Sequence, residues 1–219
     1  MISAAIFDLD GVIVDSEPLH YLSEKEMLSK RGVNLRSSDV KDIVGRTEME
    51  GMQYLKDRFR LKDSAEQLYE EKQRIYKRML RNAVKPRPGL FKLLNDLGDK
   101  GMTLAIASSA PRENVDIVLN ALGIEDKFRA VVSGDDVERG KPSPDIFLLA
   151  AERIGIEPKN CLVIEDAQNG VEAAKHAGMT CIVVPNQFTQ DQDLSRADVV
   201  VQSLEEINLK FIRSIDRLG

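Results

Sequence analysis

The sequence predicts a doubly wound, Rossmann-like α/β fold, a parallel-sheet core with an inserted α-helical cap domain. Three observations predict it. The chain opens on a short apolar run, Ile2, Ala4, Ala5, Ile6 and Phe7, of the kind a parallel strand shows when both its faces are covered. From about residue 88 onward, strand-like and helix-like segments alternate, as they do in a parallel sheet with crossover helices. Between these two regions, from Glu17 to Val84, the chain is charged and helical in pattern, with no convincing buried strand.

The elements follow in order. After the first strand, the segment Glu17 to Val84 predicts a small helical bundle. Leu68, Lys72, Ile75 and Met79 share one helix face there, with Asp63 and Ser64 supplying an N-terminal cap. All 4 tyrosines, Tyr21, Tyr54, Tyr69 and Tyr76, fall in this segment, and packing of the bundle accounts for them better than ligand contact does. The chain re-enters the core at Pro86-Arg87-Pro88-Gly89. Helix is then expected over Leu90 to Asp99, strand over Thr103 to Ala107, helix over Arg112 to Leu122 and strand over Ala130 to Ser133. Helix Asp145 to Ile154, strand Cys161 to Ile164, helix Gly170 to Ala177 and strand Thr180 to Val184 continue the alternation. A short strand at Val199 to Val201 and a closing helix over Leu204 to Ile215 complete it. Gly101, Gly123, Gly155 and Gly178 each sit just past a predicted helix, where a left-handed cap is wanted. The expected domains are therefore a core of residues 1–16 and 85–219 and a cap of residues 17–84, with connecting segments that would let the cap open and close.

Composition narrows the classes of function. With 219 residues, 42% hydrophobic and 31% charged, the chain can bury one sizeable core with room for a small second domain. A formal charge of −5 gives no support for nucleic acid as a partner. The apolar runs are too short to cross a bilayer, and Asp8 interrupts the N-terminal run before it could act as a signal peptide, so no membrane association and a cytoplasmic location are expected. Cys161 and Cys181 lack CxxC spacing and lie in apolar runs, as buried small hydrophobes would. With only His20 and His176 available, a zinc site is not expected.

The chemistry-bearing residues cluster at predicted strand ends. Asp8 and Asp10 follow the first strand, and residues two apart in extended backbone share a face. Gly11 then lets the chain bend and an anion approach backbone N–H groups. Ser108 and Ser109 end the next strand with two hydroxyls suited to a phosphoryl oxygen. Gly140-Lys141-Pro142 places an ammonium in a turn before a helix, and Glu165 with Asp166 ends a further strand. Taken singly, each has a plainer explanation as a turn residue, a strand-end cap or a helix-capping acid. Taken together they gather Asp8, Asp10, Glu165 and Asp166 into one place. Two like charges at about 4 Å repel by roughly 4 kcal/mol at an effective dielectric near 20. Mg²⁺, a hard cation suited to oxygen ligands, would remove that cost.

This combination, Asp8-Leu9-Asp10-Gly11-Val12-Ile13-Val14-Asp15-Ser16, then Ser108, then Gly140-Lys141-Pro142, then Ile164-Glu165-Asp166 with Gly170, resembles the haloacid dehalogenase superfamily. More narrowly it is similar to the β-phosphoglucomutase and sugar-phosphate phosphatase branch with a helical cap. The resemblance runs over essentially the whole chain and implies a role for each matching residue. Asp8 would be the nucleophile that forms an aspartyl-phosphate, and Asp10 the general acid and then general base. Ser108 and Lys141 would hold the phosphoryl oxygens. Mg²⁺ would be bound by the Asp8 carboxylate, the Asp10 backbone carbonyl and the Asp166 carboxylate, with Glu165 acting directly or through water. An acid at the Asp10 position argues against the dehalogenase and phosphonate-cleaving branches, which need no protonated leaving group.

Substrate contacts are expected from Gly11 and Ser109 beside the phosphoryl group, and from His20, Arg46 and Thr47 in the cap. His20 matches a cap-entry histidine of the β-phosphoglucomutase branch that phosphatases of similar sequence also carry. The cap stretch Val44-Gly45-Arg46-Thr47-Glu48 departs from the mutase pattern, because arginine directly follows glycine. The expectation is a Mg²⁺-dependent phosphatase acting on a small phosphorylated metabolite, a sugar or polyol phosphate, as a monomer or weak homodimer. β-Phosphoglucomutase is the alternative. A receiver-like phosphate acceptor fits less well, having no need of Asp10 or of a long insertion after the first strand.

Overall fold

A computed structural model of the chain describes residues 1–36, 39 and 48–215. The chain divides into two compact units, Met1–Asp15 with Lys85–Gly219, and Ser16–Val84.

In the first unit the strands are β1 (Ala4–Phe7), β2 (Thr103–Ala107), β3 (Ala130–Val132), β4 (Cys161–Glu165), β5 (Thr180–Val183) and β6 (Val199–Val200). Among the described residues they form one six-stranded sheet in the order β3-β2-β1-β4-β5-β6, with every neighbouring pair parallel. The doubly wound reading is thus what the chain adopts. The winding reverses between β1 and β4, and the open end of such a reversal is where α/β sheets bind ligands. Register fixes what gathers there. Phe7 pairs with Ile106 of β2 and Ile164 of β4, so Asp8, Ala107 and Glu165 lie level at the carboxyl end of the sheet.

Both faces of the sheet are buried, which explains why its strands read as continuous apolar runs. Ala4, Ile6, Ala105, Ala107, Cys161, Val163, Cys181 and Val183 alternate onto one face. Helices α6 (Asp145–Ile154) and α7 (Gln168–His176) bring Ile146, Phe147, Ala150, Val171, Ala173 and Ala174 to that cluster. The many alanines on both sides bring helix backbones close to the sheet at little side-chain entropy cost. Both cysteines are free and fully buried, as expected, and burial pushes the Cys161 thiol up to about 11. On β2 also packs α4 (Leu90–Gly98), with α5 (Arg112–Leu122) following that strand. Gly101, Gly123, Gly155 and Gly178 all have positive φ, between 64° and 79°, as the expected left-handed stops require.

Two local expectations change. The closing helix is split into a 3₁₀ turn, Leu204–Glu206, and α8, Leu209–Ile215, because Ser203 and Asn208 each accept a backbone N–H and start a new helical segment. Helix α7 begins at Gln168 rather than Gly170, so Gly170 lies inside its first turn.

The second unit contains α1 (Glu17–Ser29), α2 (Glu48–Phe59) and α3 (Ala65–Ala83), with α3 packed against both α1 and α2. Its core is Met27, Leu28, Leu35, Met52, Leu55, Ala65, Leu68 and Ile75, with Tyr21, Tyr54 and Tyr69 packed on it. Ser64 alone caps α3, in a reciprocal capping box with Gln67, while Asp63 pairs with Arg31 at 2.7 Å. Lys72 is buried on the apolar face of α3, where its Nζ lies 2.9 Å from Nδ1 of His20.

Candidate active site

Asp8 lies one residue past β1, and its N–H continues the ladder by donating to the Ile164 carbonyl at 3.0 Å. That fixes its backbone against β4. Lys141, the first residue of the cis Lys141–Pro142 bond, reaches the same point from the turn before α6. Its Nζ donates to Asp8 Oδ1 at 2.5 Å, to Glu165 Oε1 at 2.7 Å and to the Ala107 carbonyl at 3.3 Å. An ammonium has three N–H groups, so this set uses all of them. The Phe147 ring lies 4.8 Å below the charge and adds a cation–π contact.

Glu165 is equally committed. While Oε1 accepts from Lys141, Oε2 accepts the backbone N–H groups of Asp166 and Ala167 at 2.8 and 3.0 Å. Both oxygens are therefore engaged within the protein, and Glu165 orients Lys141 and the turn into α7. Gly170 leaves the room this needs, since a Cβ there would lie 1.7 Å from Glu165 Oε1.

Asp166 packs on Gly11, whose φ of 85° and close approach both exclude a side chain: a Cβ would meet Asp166 Oδ2 at 2.1 Å. Asn186, in the loop after β5, donates from Nδ2 to that oxygen at 2.7 Å. Nothing in the local sequence marks Asn186, because its role depends on strands β4 and β5 being neighbours. Ser108 is fully buried at the end of β2; its Oγ accepts the Ala110 N–H at 3.1 Å and keeps its O–H to donate. Ser109 is exposed, and its carbonyl packs against Gly134, where a Cβ would lie 2.3 Å away.

The electrostatics of this cluster are those of excess negative charge. Burial first, then Glu165 and Asp10, raises the Asp8 carboxyl above its ordinary value, with Lys141 opposing. Burial, Glu165 and Asp8 raise Asp166 in the same sense. Burial disfavours the charged Lys141, yet Asp8 and Glu165 lift its pKa above the usual lysine range, so it stays an ammonium. One ammonium thus faces several buried carboxylates. The donor set is all oxygen, of the kind Mg²⁺ takes, and Asp8 and Asp166 are carboxylates that could hold it. Among the described residues no three His, Cys, Asp or Glu side chains close on one metal position, so backbone and water oxygens would have to complete the shell.

The structure thus brings together Asp8, Asp10, Gly11, Ser108, Lys141, Glu165 and Asp166 at one sheet end. His20 belongs to the helical unit and lies partly exposed, stacked on Tyr76 with ring centroids 4.1 Å apart. Arg46 and Thr47 lie outside the described residues. No helix among the described residues is long and apolar enough to cross a membrane.

Comparison with known proteins agrees with this geometry. The family model of the haloacid dehalogenase-like hydrolases matches residues 5–184. The chain is 36% identical over 217 residues to a phosphorylated carbohydrates phosphatase of Thermotoga maritima, a match spanning 97% of this chain and 99% of that protein. It is 34% identical over 220 residues to the β-phosphoglucomutase of Bacillus subtilis, spanning 95% and 93%. The crystal structure of CbbY from Rhodobacter sphaeroides in complex with phosphate is similar at a TM-score of 0.82 and 27% identity, covering 96% of this chain and 98% of that one. Likeness of this extent, in sequence and in fold, makes the chain a member of the haloacid dehalogenase-like hydrolase family, on its phosphatase and β-phosphoglucomutase-like branch.

Proposed function

We propose that this enzyme is a Mg²⁺-dependent phosphatase that hydrolyses a small phosphomonoester, a sugar or polyol phosphate, through an aspartyl-phosphate on Asp8. The observation that carries the reading is the contact of Lys141 with both Asp8 and Glu165, drawn from three separate segments to the sheet end where ligands of such folds bind. The names of the T. maritima phosphatase and of the phosphate complex of CbbY support the substrate class.

In the first step an Asp8 oxygen attacks phosphorus in line, the P–O ester bond breaks, and Asp10 in its acid form gives a proton to the departing alkoxide. In the second step Asp10, now a carboxylate, takes a proton from water. That water attacks the acyl phosphate, releasing phosphate and restoring Asp8. Lys141, exchanging its 3.3 Å contact with the Ala107 carbonyl, and Ser108 hold the equatorial oxygens as charge shifts, which is where fixed donors in a dry site contribute most. Mg²⁺ would supply positive charge that screens phosphate from the acids and offsets charge built up in the transition state. Substrate choice falls in this reading to Gly11, Ser109 and the helical unit taken as a cap, with His20, Arg46 and Thr47 as its contacts.

A second reading, β-phosphoglucomutase, is favoured by the B. subtilis relative. It differs only in that a sugar hydroxyl, not water, receives the phosphoryl group. A panel of sugar and polyol phosphates assayed with Mg²⁺ tests both: steady phosphate release supports the phosphatase. Conversion of β-glucose 1-phosphate to glucose 6-phosphate without net phosphate release supports the mutase, and the absence of both outcomes would refute both readings.

A further inference from the structure

We propose that Asn186 is a positioning residue that holds Asp166 to a single metal-facing oxygen and thereby sets the site's preference for Mg²⁺ over Ca²⁺. The inference rests on the Mg²⁺ reading above.

Asn186 Nδ2 donates to Asp166 Oδ2 at 2.7 Å, and its amide is held in that sense from the other end. Asn186 Oδ1 accepts the Phe188 N–H at 2.8 Å, so a flipped amide would set NH₂ against N–H. The backbone is pinned as well. Asn186 N–H donates to Thr189 Oγ1 at 3.0 Å, and the Asn186 carbonyl accepts from the N–H groups of Thr189 and Gln190 at 3.1 and 2.9 Å. Thr189 is itself buried, which ties the loop to the core. Asp166 Oδ2 is thus enclosed by the Asn186 amide and by Gly11, whose added Cβ would lie 2.1 Å from it.

With Oδ2 tied to the Asn186 amide and crowded by Gly11, Oδ1 is, in this proposal, the Asp166 oxygen that faces a cation. Mg²⁺ binds at about 2.0–2.1 Å in near-octahedral geometry, keeps several waters, and takes one oxygen from each carboxylate. Ca²⁺ takes about 6–8 oxygens at longer range and readily uses both oxygens of one carboxylate. A carboxylate with one oxygen tied back therefore serves the smaller ion and denies the larger one its bidentate contact. Partners of this kind typically alter metal affinity by about 10–100-fold when removed.

The test is calorimetric titration of MgCl₂ and of CaCl₂ into the full chain, its Asn186→Ala and Thr189→Val variants, and Asp166→Asn as the reference for the site. The expected result is Asp166-dependent Mg²⁺ binding in the unaltered protein and a Mg²⁺/Ca²⁺ affinity ratio that drops about tenfold in Asn186→Ala. Thr189→Val, which loosens Asn186 without removing it, should shift the ratio the same way by less. Mg²⁺ binding through Asp166 with the ratio unchanged in a folded Asn186→Ala overturns the role of Asn186 and leaves the Mg²⁺ reading standing. If Asn186→Ala does not fold, an unchanged ratio in Thr189→Val overturns it instead. Unaltered protein that binds Mg²⁺ no better than Asp166→Asn overturns the Mg²⁺ reading and this inference with it.

Discussion

Lys141 Nζ lies 2.5 Å from Asp8 Oδ1 while its other contacts reach Glu165 and the Ala107 carbonyl, so one buried ammonium serves two buried acids, Asp8 and Glu165. Removing it leaves two buried carboxylates facing each other. Lys141→Met should therefore lose activity and also destabilise the first unit by about 3–5 kcal/mol, the usual cost of breaking a buried ion pair on one side. Urea denaturation with and without Mg²⁺ checks this. Mg²⁺ is expected to raise the stability of the variant more than that of the unaltered protein, and equal effects would contradict the charge argument.

Asp8→Asn separates chemistry from stability. The amide oxygen still accepts from Lys141, and the substitution removes a charge that burial makes costly. Phosphate release should fall to background while the melting transition moves by no more than about 1 kcal/mol equivalent. An active, well-folded variant would remove Asp8 from the nucleophile's role.

Asp10→Asn should slow turnover of alkyl phosphates by about 100-fold or more, because their alkoxides need a proton on leaving. p-Nitrophenyl phosphate, with a good leaving group, needs little help in that step and should suffer far less in its first turnover. Equal losses on both substrates, followed by burst kinetics, would place Asp10 elsewhere.

Much of this arrangement is legible in the sequence because buried parallel strands are short apolar runs ended abruptly by polar residues. Ile6-Phe7-Asp8 and Val163-Ile164-Glu165 both show that edge, and the register pairing Phe7 with Ile164 turns two edges into one site. What escapes the sequence is partnership. The sequence places Glu165 at the strand end but does not show that its oxygens accept from Lys141 and from the next two backbone N–H groups. Asn186 is one loop asparagine among many until β5 lies beside β4. Asp63 and Ser64 are both good capping residues, and only the position of Arg31, in the turn that follows α1, decides that Ser64 caps alone.

Gly170→Ala sets local propensity against packing. Alanine favours a helix interior by about 1 kcal/mol over glycine. Here its Cβ would meet Glu165 Oε1 at 1.7 Å and Cδ at 1.8 Å, displacing the group that holds Lys141. Net destabilisation of about 1–3 kcal/mol with reduced turnover is expected. Gly98→Ala, at the end of α4 with nothing near its Cβ, should be neutral or slightly stabilising in the same chemical denaturation series.

His20 gives the helical unit a pH dependence whose sign is set by its neighbours. Lys72 can only donate, so at 2.9 Å His20 Nδ1 must accept, which makes the ring neutral with its proton on Nε2. Burial first and the Lys72 ammonium second pull the His20 pKa down to about 3, against roughly 6.5 in an unfolded chain. A depressed histidine pKa means that the unfolded state takes up the proton first. Its contribution is fully present above about pH 6.5 and is lost as pH falls toward about 3, at up to roughly 1.4 kcal/mol per pH unit. Between pH 7.5 and 5.5 the helical unit should lose about 1 kcal/mol through this group. In His20→Asn, which cannot be protonated, that part of the loss should vanish. Urea denaturation at the two pH values, followed by tyrosine fluorescence because all 4 tyrosines lie in this unit, reads the difference. A variant as acid-sensitive as the unaltered protein would show that His20 is not held neutral by Lys72 and its surroundings.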